Sequence, residues 1–170
     1  MRAEQRRAAI LKALENAPGA VSASTLAEQF GVSRQVVVGD VALLRALGTD
    51  ILATPRGYEL RGADEGIVRR VACRHTDAEM ERELNAIVDQ GCTVADVIVE
   101  HPLYGQLTGS LQLKSRYDVG EFLSRCARAD ARPLSDLTEG IHLHTLVCPD
   151  ETAYERVRAS LHDLGFLLEN

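Results

Sequence analysis

All five histidines of the chain lie beyond residue 70, and three of them, with one glutamate, have the types and spacing to hold a metal ion. His142 and His144 are separated by one residue in the apolar run IHLHTLVC. The period of two along a strand puts both imidazoles on one face. His75 stands just ahead of a helical run, and Glu83 lies within that run, three residues after Met80 and four before Ile87. That spacing places a carboxylate near the apolar stripe, where Glu is seldom left unpaired. If the helix packs on the sheet containing the HxH strand, His75, Glu83, His142 and His144 converge. Three imidazoles and one carboxylate suit Zn²⁺, Ni²⁺, Fe²⁺ or Mn²⁺. Two solvated or hydrogen-bonded histidines on a strand carry the same HxH pattern, and spacing alone does not separate the readings. Cys73, two residues before His75, is a weaker candidate. It and Cys92, Cys126 and Cys148 form no CxxC pair, so the four read as small buried hydrophobes in a reducing compartment.

These groups need a scaffold, and the second half of the chain supplies one. Residues 67–73 read as a strand. Thr76 opens a helix with Glu79 three positions on, a capping box; Met80, Leu84, Ile87 and Val88 form its stripe, and Gly91 ends it. Residues 94–99 and 107–113 read as strands, 118–129 as a helix with Val119, Phe122, Leu123 and Cys126 inward, 141–148 as a strand and 151–164 as a final helix. Residues 166–168 could add a short strand. The order β-α-β-β-α-β-α predicts an α+β sandwich, with helices on one face of a mainly antiparallel sheet. Lys114, Arg116 and His162 read as solvated.

The first sixty residues have a different pattern. A helix is expected over 4–16, ended by Pro18-Gly19, a second over 23–29 capped by Ser22, and a third over 34–47 capped by Ser33. Gly31 turns the chain between the last two, the spacing of a helix-turn-helix. Residues 51–54 and 58–60 flank Pro55-Arg56-Gly57 as a hairpin. Residues 61–66 read as a linker between domains at 1–62 and 67–170. The chain carries a formal charge of -6, but the first 62 residues hold eight Lys and Arg against six Asp and Glu. Phosphate attraction follows local charge, so a mildly basic head on an acidic body remains compatible with DNA binding. At 45% hydrophobic and 26% charged residues the composition is that of an ordinary globular protein. No apolar run reaches the roughly 20 residues of a membrane span, and a cytoplasmic location without membrane contact is expected.

The segment LAEQFGVSRQVVVGDVALLRALG resembles the helix-turn-helix of bacterial winged-helix regulators. That resemblance implies that the third helix enters the major groove of double-stranded DNA, with Ser33, Arg34, Gln35 and Val38 outward and Arg56 at the wing tip. With RHTDAEMERELNAIVD, VEHPLYGQLTGSLQL and GIHLHTLVCPD, nearly the whole chain resembles the 3H-domain family of regulators. Its best-known members are niacin-responsive repressors of NAD biosynthesis and niacin uptake genes. The resemblance implies a regulatory domain similar to the histidine phosphocarrier fold. It also implies a divalent metal on His75, Glu83, His142 and His144, and nicotinate as the effector of a homodimeric repressor on a palindromic operator. His101 and Tyr104, in the family's remaining histidine motif, are expected near the effector. A metal-dependent hydrolase of a niacin-related compound, fused to a DNA-binding domain, is the alternative.

Overall fold

Two separate hydrophobic cores organise the chain. The computed structural model describes residues 1–62 and 66–169, divided into units Met1–Ala63 and Asp64–Asn170. The linker expected at 61–66 lies partly outside the described residues.

In the first unit, α1 (Ala3–Asn16), α2 (Ala23–Phe30) and α3 (Arg34–Ala46) precede a hairpin of β1 (Ile51–Thr54) and β2 (Gly57–Leu60). Ser22 and Ser33 cap α2 and α3, accepting from the backbone N–H of Thr25 at 3.0 Å and of Val36 at 3.3 Å. These bonds satisfy donors that a helix start leaves open. Ile10, Leu14, Leu26, Val37, Val41, Leu44 and Ile51 fill the core. Each fully buried side chain of this size contributes about 1.5–3 kcal/mol. Val21 and Tyr58 exchange backbone hydrogen bonds of 2.8 Å, which pins the hairpin to the α1–α2 connection. One contact is polar: Asp40 of α3 is buried, with Arg6 of α1 at 2.6 Å and Arg7 at 3.7 Å. This ion pair fixes α1 against α3 across 34 residues of sequence.

The second unit follows the expected order: β3 (Ile67–Arg74), a 3-10 turn (Asp77–Glu79), α4 (Met80–Val88), β4 (Thr93–His101), β5 (Gly105–Leu113), α5 (Arg116–Ala129), a 3-10 turn (Leu134–Thr138), β6 (Ile141–Cys148) and α6 (Glu151–Asp163). The four strands form one antiparallel sheet in the order β3-β6-β4-β5. Leu84, Ile87 and Val88 of α4, Val119 of α5, and Val157 and Leu161 of α6 share a core with Val71, Val94, Leu113 and Leu146 of the sheet. All three helices therefore pack on one sheet face. On the other, Val68 and Ile141 remain 48% and 43% exposed.

Local differences from the sequence reading have local causes. The helix expected from Thr76 opens as a 3-10 turn. There the Glu79 carboxylate accepts from the Thr76 N–H at 2.9 Å and its hydroxyl at 3.1 Å. Helix α5 begins two residues early because Ser115 accepts from the Asp118 N–H, while Asp118 accepts from the Lys114 N–H. In agreement with the strand suggested at 166–168, the C-terminal segment lies along β3: Arg74 N–H donates to Phe166 O at 2.8 Å and Leu168 N–H to Ala72 O at 2.9 Å. Among the described residues no helix is long and apolar enough to cross a membrane.

Candidate metal centre

Two strands and one helix carry the cluster. The antiparallel register sets Cys73 of β3 opposite His142 of β6, and Val71 opposite His144. Residues opposite each other share a sheet face, so Cys73, His142 and His144 all point toward the helices. Helix α4 lays Glu83 over them, and β3 runs on to His75. Gly140, at φ +88°, brings the start of β6 against the His75 backbone, where a Cβ would collide with the carbonyl oxygen.

The four residues expected from the sequence meet. Glu83 is 1% exposed. Its Oε2 lies 2.5 Å from His75 Nε2 and its Oε1 2.7 Å from His142 Nε2. His144 Nε2 sits 3.2 Å from Oε1 but is not aligned for a hydrogen bond, and it is a buried nitrogen with no hydrogen-bond partner. The rings of His75 and His142, and of His142 and His144, meet edge to face at 4.8 Å between centroids.

The other ring nitrogen of each histidine decides the chemistry. His75 Nδ1 faces Thr76 O at 2.8 Å, His142 Nδ1 faces Gly140 O at 2.9 Å, and His144 Nδ1 faces Asp96 O at 2.6 Å. A carbonyl only accepts, so each Nδ1 carries its proton and donates. In the neutral ring Nε2 then holds a lone pair, and all three Nε2 atoms lie within 3.2 Å of an oxygen of one carboxylate. Such contacts are unfavourable unless a cation, either a proton or a metal, lies between. Backbone acceptors on Nδ1 are also the arrangement that orients metal-ligating histidines. Among the described residues Cys73, Glu83 and His142 form a group able to hold a metal ion, with ligand atoms within 4.8 Å of one another. The donor set and the orphaned His144 nitrogen fit a divalent transition metal.

Protonation follows the same geometry. Burial pushes His75 and His144 down, but hydrogen bonding to Glu83 and its charge prevail and raise both above 6.5. Burial pushes the Glu83 carboxyl up, yet the charge of His144 and the bonds from His142 and His75 hold it well below 4.5. Raised histidines stabilise fully below their unfolded pKa, and that stabilisation is lost as pH rises through the folded value. A lowered carboxylate stabilises above its unfolded pKa and loses the effect as pH falls through the folded value. The metal-free second unit is therefore expected to melt highest between about pH 4.5 and 6.5 and to weaken above that range. Loading with Ni²⁺ should shift the maximum upward, because metal competes with protons for the same nitrogens. Melting curves of chelator-treated and nickel-loaded protein across this range check both trends.

Residues 68–170 match the 3H domain and residues 6–59 an HTH domain. The chain belongs to the 3H-domain family. It is 43% identical over 166 residues to "Probable transcription repressor NiaR" of Thermotoga maritima, covering 98% of this chain and 95% of that one. It is 38% identical over 169 residues to "Transcription repressor NadR" of Bacillus subtilis, covering 97% and 94%.

In this 3H protein the other sequence candidates are dispersed. His101 ends β4 and its Nδ1 accepts from the backbone N–H of Leu103 at 3.1 Å and of Tyr104 at 3.3 Å, so it braces its own turn. Tyr104 is 68% exposed, its ring 5.1 Å from that of His101. Among the described residues no hydrogen bond or ion pair joins either to the cluster. Arg116, read as solvated, is exposed and makes a two-pronged surface ion pair with Asp89 at 2.6 and 2.7 Å. His162 lies on the surface beside Glu169. In the HTH unit Arg34 and Gln35 are exposed on the first turn of α3, Val38 is half-buried, and the Ser33 hydroxyl is engaged as the cap. Arg56 sits half-buried in the hairpin turn. Sequence reasoning missed exposed Val36 beside Arg34 and Gln35. It also missed Asp96, whose carbonyl holds His144 and whose carboxylate accepts from the Thr145 N–H at 2.8 Å.

Proposed function

We propose that this DNA-binding transcription repressor controls niacin and NAD genes, and that nicotinate reaches it through a divalent metal held by His75, Glu83, His142 and His144. The observation that carries this reading is the convergence of three Nε2 atoms on one buried carboxylate, with every Nδ1 committed to a backbone carbonyl. Bound there, the cation would offer a Lewis-acidic position to a pyridine nitrogen or a carboxylate. Glu83 supplies the negative charge, the histidines fix the donor directions, and Phe166, 5.2 Å from the His75 ring, shields that side from water. His101 and Tyr104 are the proposed contacts for the effector's ring. The single antiparallel sheet under three helices is the arrangement expected of a histidine phosphocarrier-like domain. Both relatives are named as repressors, which leaves the metal-dependent hydrolase without support.

The DNA-reading surface is proposed as Arg34, Gln35 and Val38 of α3, oriented by the Ser33 cap, with Arg56 on the hairpin acting as a wing. Homodimerisation would place two such heads on a two-fold operator. The sheet face turned away from the helices, where Val68, Ala72, Ile141, Leu143 and Val147 share the surface with exposed Arg70 and Arg74, is the proposed surface for that contact.

Operator affinity followed by fluorescence anisotropy tests the proposal. With Ni²⁺ present, nicotinate is expected to change operator affinity, and DNA to change nicotinate affinity by the same factor. An operator affinity indifferent to nicotinate and metal would remove the sensor reading and leave the repressor. Arg34→Ala is expected to weaken operator binding about 5- to 150-fold, the 1–3 kcal/mol of a base contact, with little change on random DNA. Equal losses on both DNAs would make Arg34 a phosphate contact instead.

A further inference from the structure

We infer that Cys73 is an additional donor to the metal of the 3H domain, giving the centre a thiolate ligand. The inference rests on the metal reading above and specifies the class of cation. Cys73 is fully buried, on the same sheet face as His142 and directly opposite it. Its Sγ, a Glu83 oxygen and a His142 nitrogen lie within 4.8 Å of one another. In a zinc site, with Zn–S about 2.3 Å and Zn–N about 2.0 Å, neighbouring donors stand roughly 3.5 Å apart. Donors no more than 4.8 Å apart need to approach by about 1 Å to share an ion.

A second observation points to the same centre. His144 Nε2 is buried and unpartnered although it faces Glu83, so the cluster lacks an electrophile on the side of the sheet that Cys73 also faces. A cation there would satisfy His144 and the sulfur together. Binding replaces the S–H bond with an S–metal bond and releases one proton to solvent; no electron moves. A thiolate among imidazoles and a carboxylate favours zinc, nickel or ferrous iron over manganese or magnesium, which prefer oxygen donors.

Cobalt titration into chelator-treated full-length protein tests this. Wild-type protein is expected to develop a near-ultraviolet thiolate-to-cobalt charge-transfer band that saturates at one equivalent. Cys73→Ala is expected to lose that band while keeping cobalt uptake and the visible ligand-field bands. Uptake without the band in wild-type protein, or a band that survives Cys73→Ala, overturns the inference and leaves the metal site standing. Absence of uptake in wild-type protein removes both. Nickel-edge X-ray absorption on the unmutated protein answers without a variant: a sulfur bonded to nickel supports Cys73, and a purely nitrogen and oxygen environment excludes it.

Discussion

Glu83→Ala is expected to abolish stoichiometric metal binding and to destabilise the 3H domain by roughly 3–5 kcal/mol. Glu83 is the single carboxylate shared by three buried imidazoles. Removing it leaves His75 and His142 without the partner that holds their Nε2 atoms, in a site where each histidine is about 3% exposed or less at its side chain. At 4–8 °C per kcal/mol for a domain of this size, the melting temperature should fall by at least about 12 °C. Glu83→Gln separates the two effects. The amide fills the same volume but carries no charge, so stability should be partly restored while the metal is still lost. Calorimetry and elemental analysis read the two outcomes. Full metal occupancy in Glu83→Gln would show that the carboxylate is structural and that the ligands lie elsewhere.

Gly140→Ala should be almost as damaging, from outside the ligand set. The residue sits at φ +88°, and an added Cβ would meet the carbonyl oxygen of His75, with its carbonyl carbon at 3.3 Å and its nitrogen at 3.5 Å. Positive φ alone costs an L-residue about 1–3 kcal/mol. The obstructing atoms are backbone and cannot rotate away, so β6 must retreat from β3. Gly140 O also holds His142 Nδ1, so the imidazole moves with it. Losing such an orienting partner typically costs about 10- to 100-fold in metal affinity. The comparison is Gly39→Ala, an exposed position on α3 with nothing within 4 Å of the new Cβ. That change should stabilise the HTH unit by roughly 1 kcal/mol through helix propensity alone. A harmless Gly140→Ala would mean the β6 start is not held where the structure puts it.

His75, Glu83, His142 and His144 were brought together in the sequence by two periodicities, and it was the resemblance to the 3H family rather than the spacing that made them metal candidates. Period two put His142 and His144 on one face, and the spacing of Met80, Glu83, Leu84 and Ile87 put the carboxylate beside an apolar stripe. The element order was legible for the same reason, since strand and helix patterns are local. What stayed hidden depends on which strand lies beside which. Cys73 is flagged in the sequence only by its place two residues before His75, and its position opposite His142 emerges only once β6 is seen between β3 and β4. The Leu134–Thr138 turn has no periodicity to announce it. Asp40 lies in a helix whose sequence gives no hint of Arg6, 34 residues earlier. At His101 the sequence supplies only the family motif, and the structure adds that its Nδ1 accepts from two amides of its own turn.

The clamp of Asp40 on Arg6 and Arg7 bears on how tightly the head can grip nucleic acid at all. Two of the eight basic side chains in the first 62 residues are turned inward and displace few potassium ions from a phosphate chain. Each phosphate contact forgone flattens the dependence of log affinity on log ionic strength by about 0.9. The head is therefore expected to lose affinity for nucleic acid less steeply with rising salt than a head with all eight basic side chains free to reach phosphates.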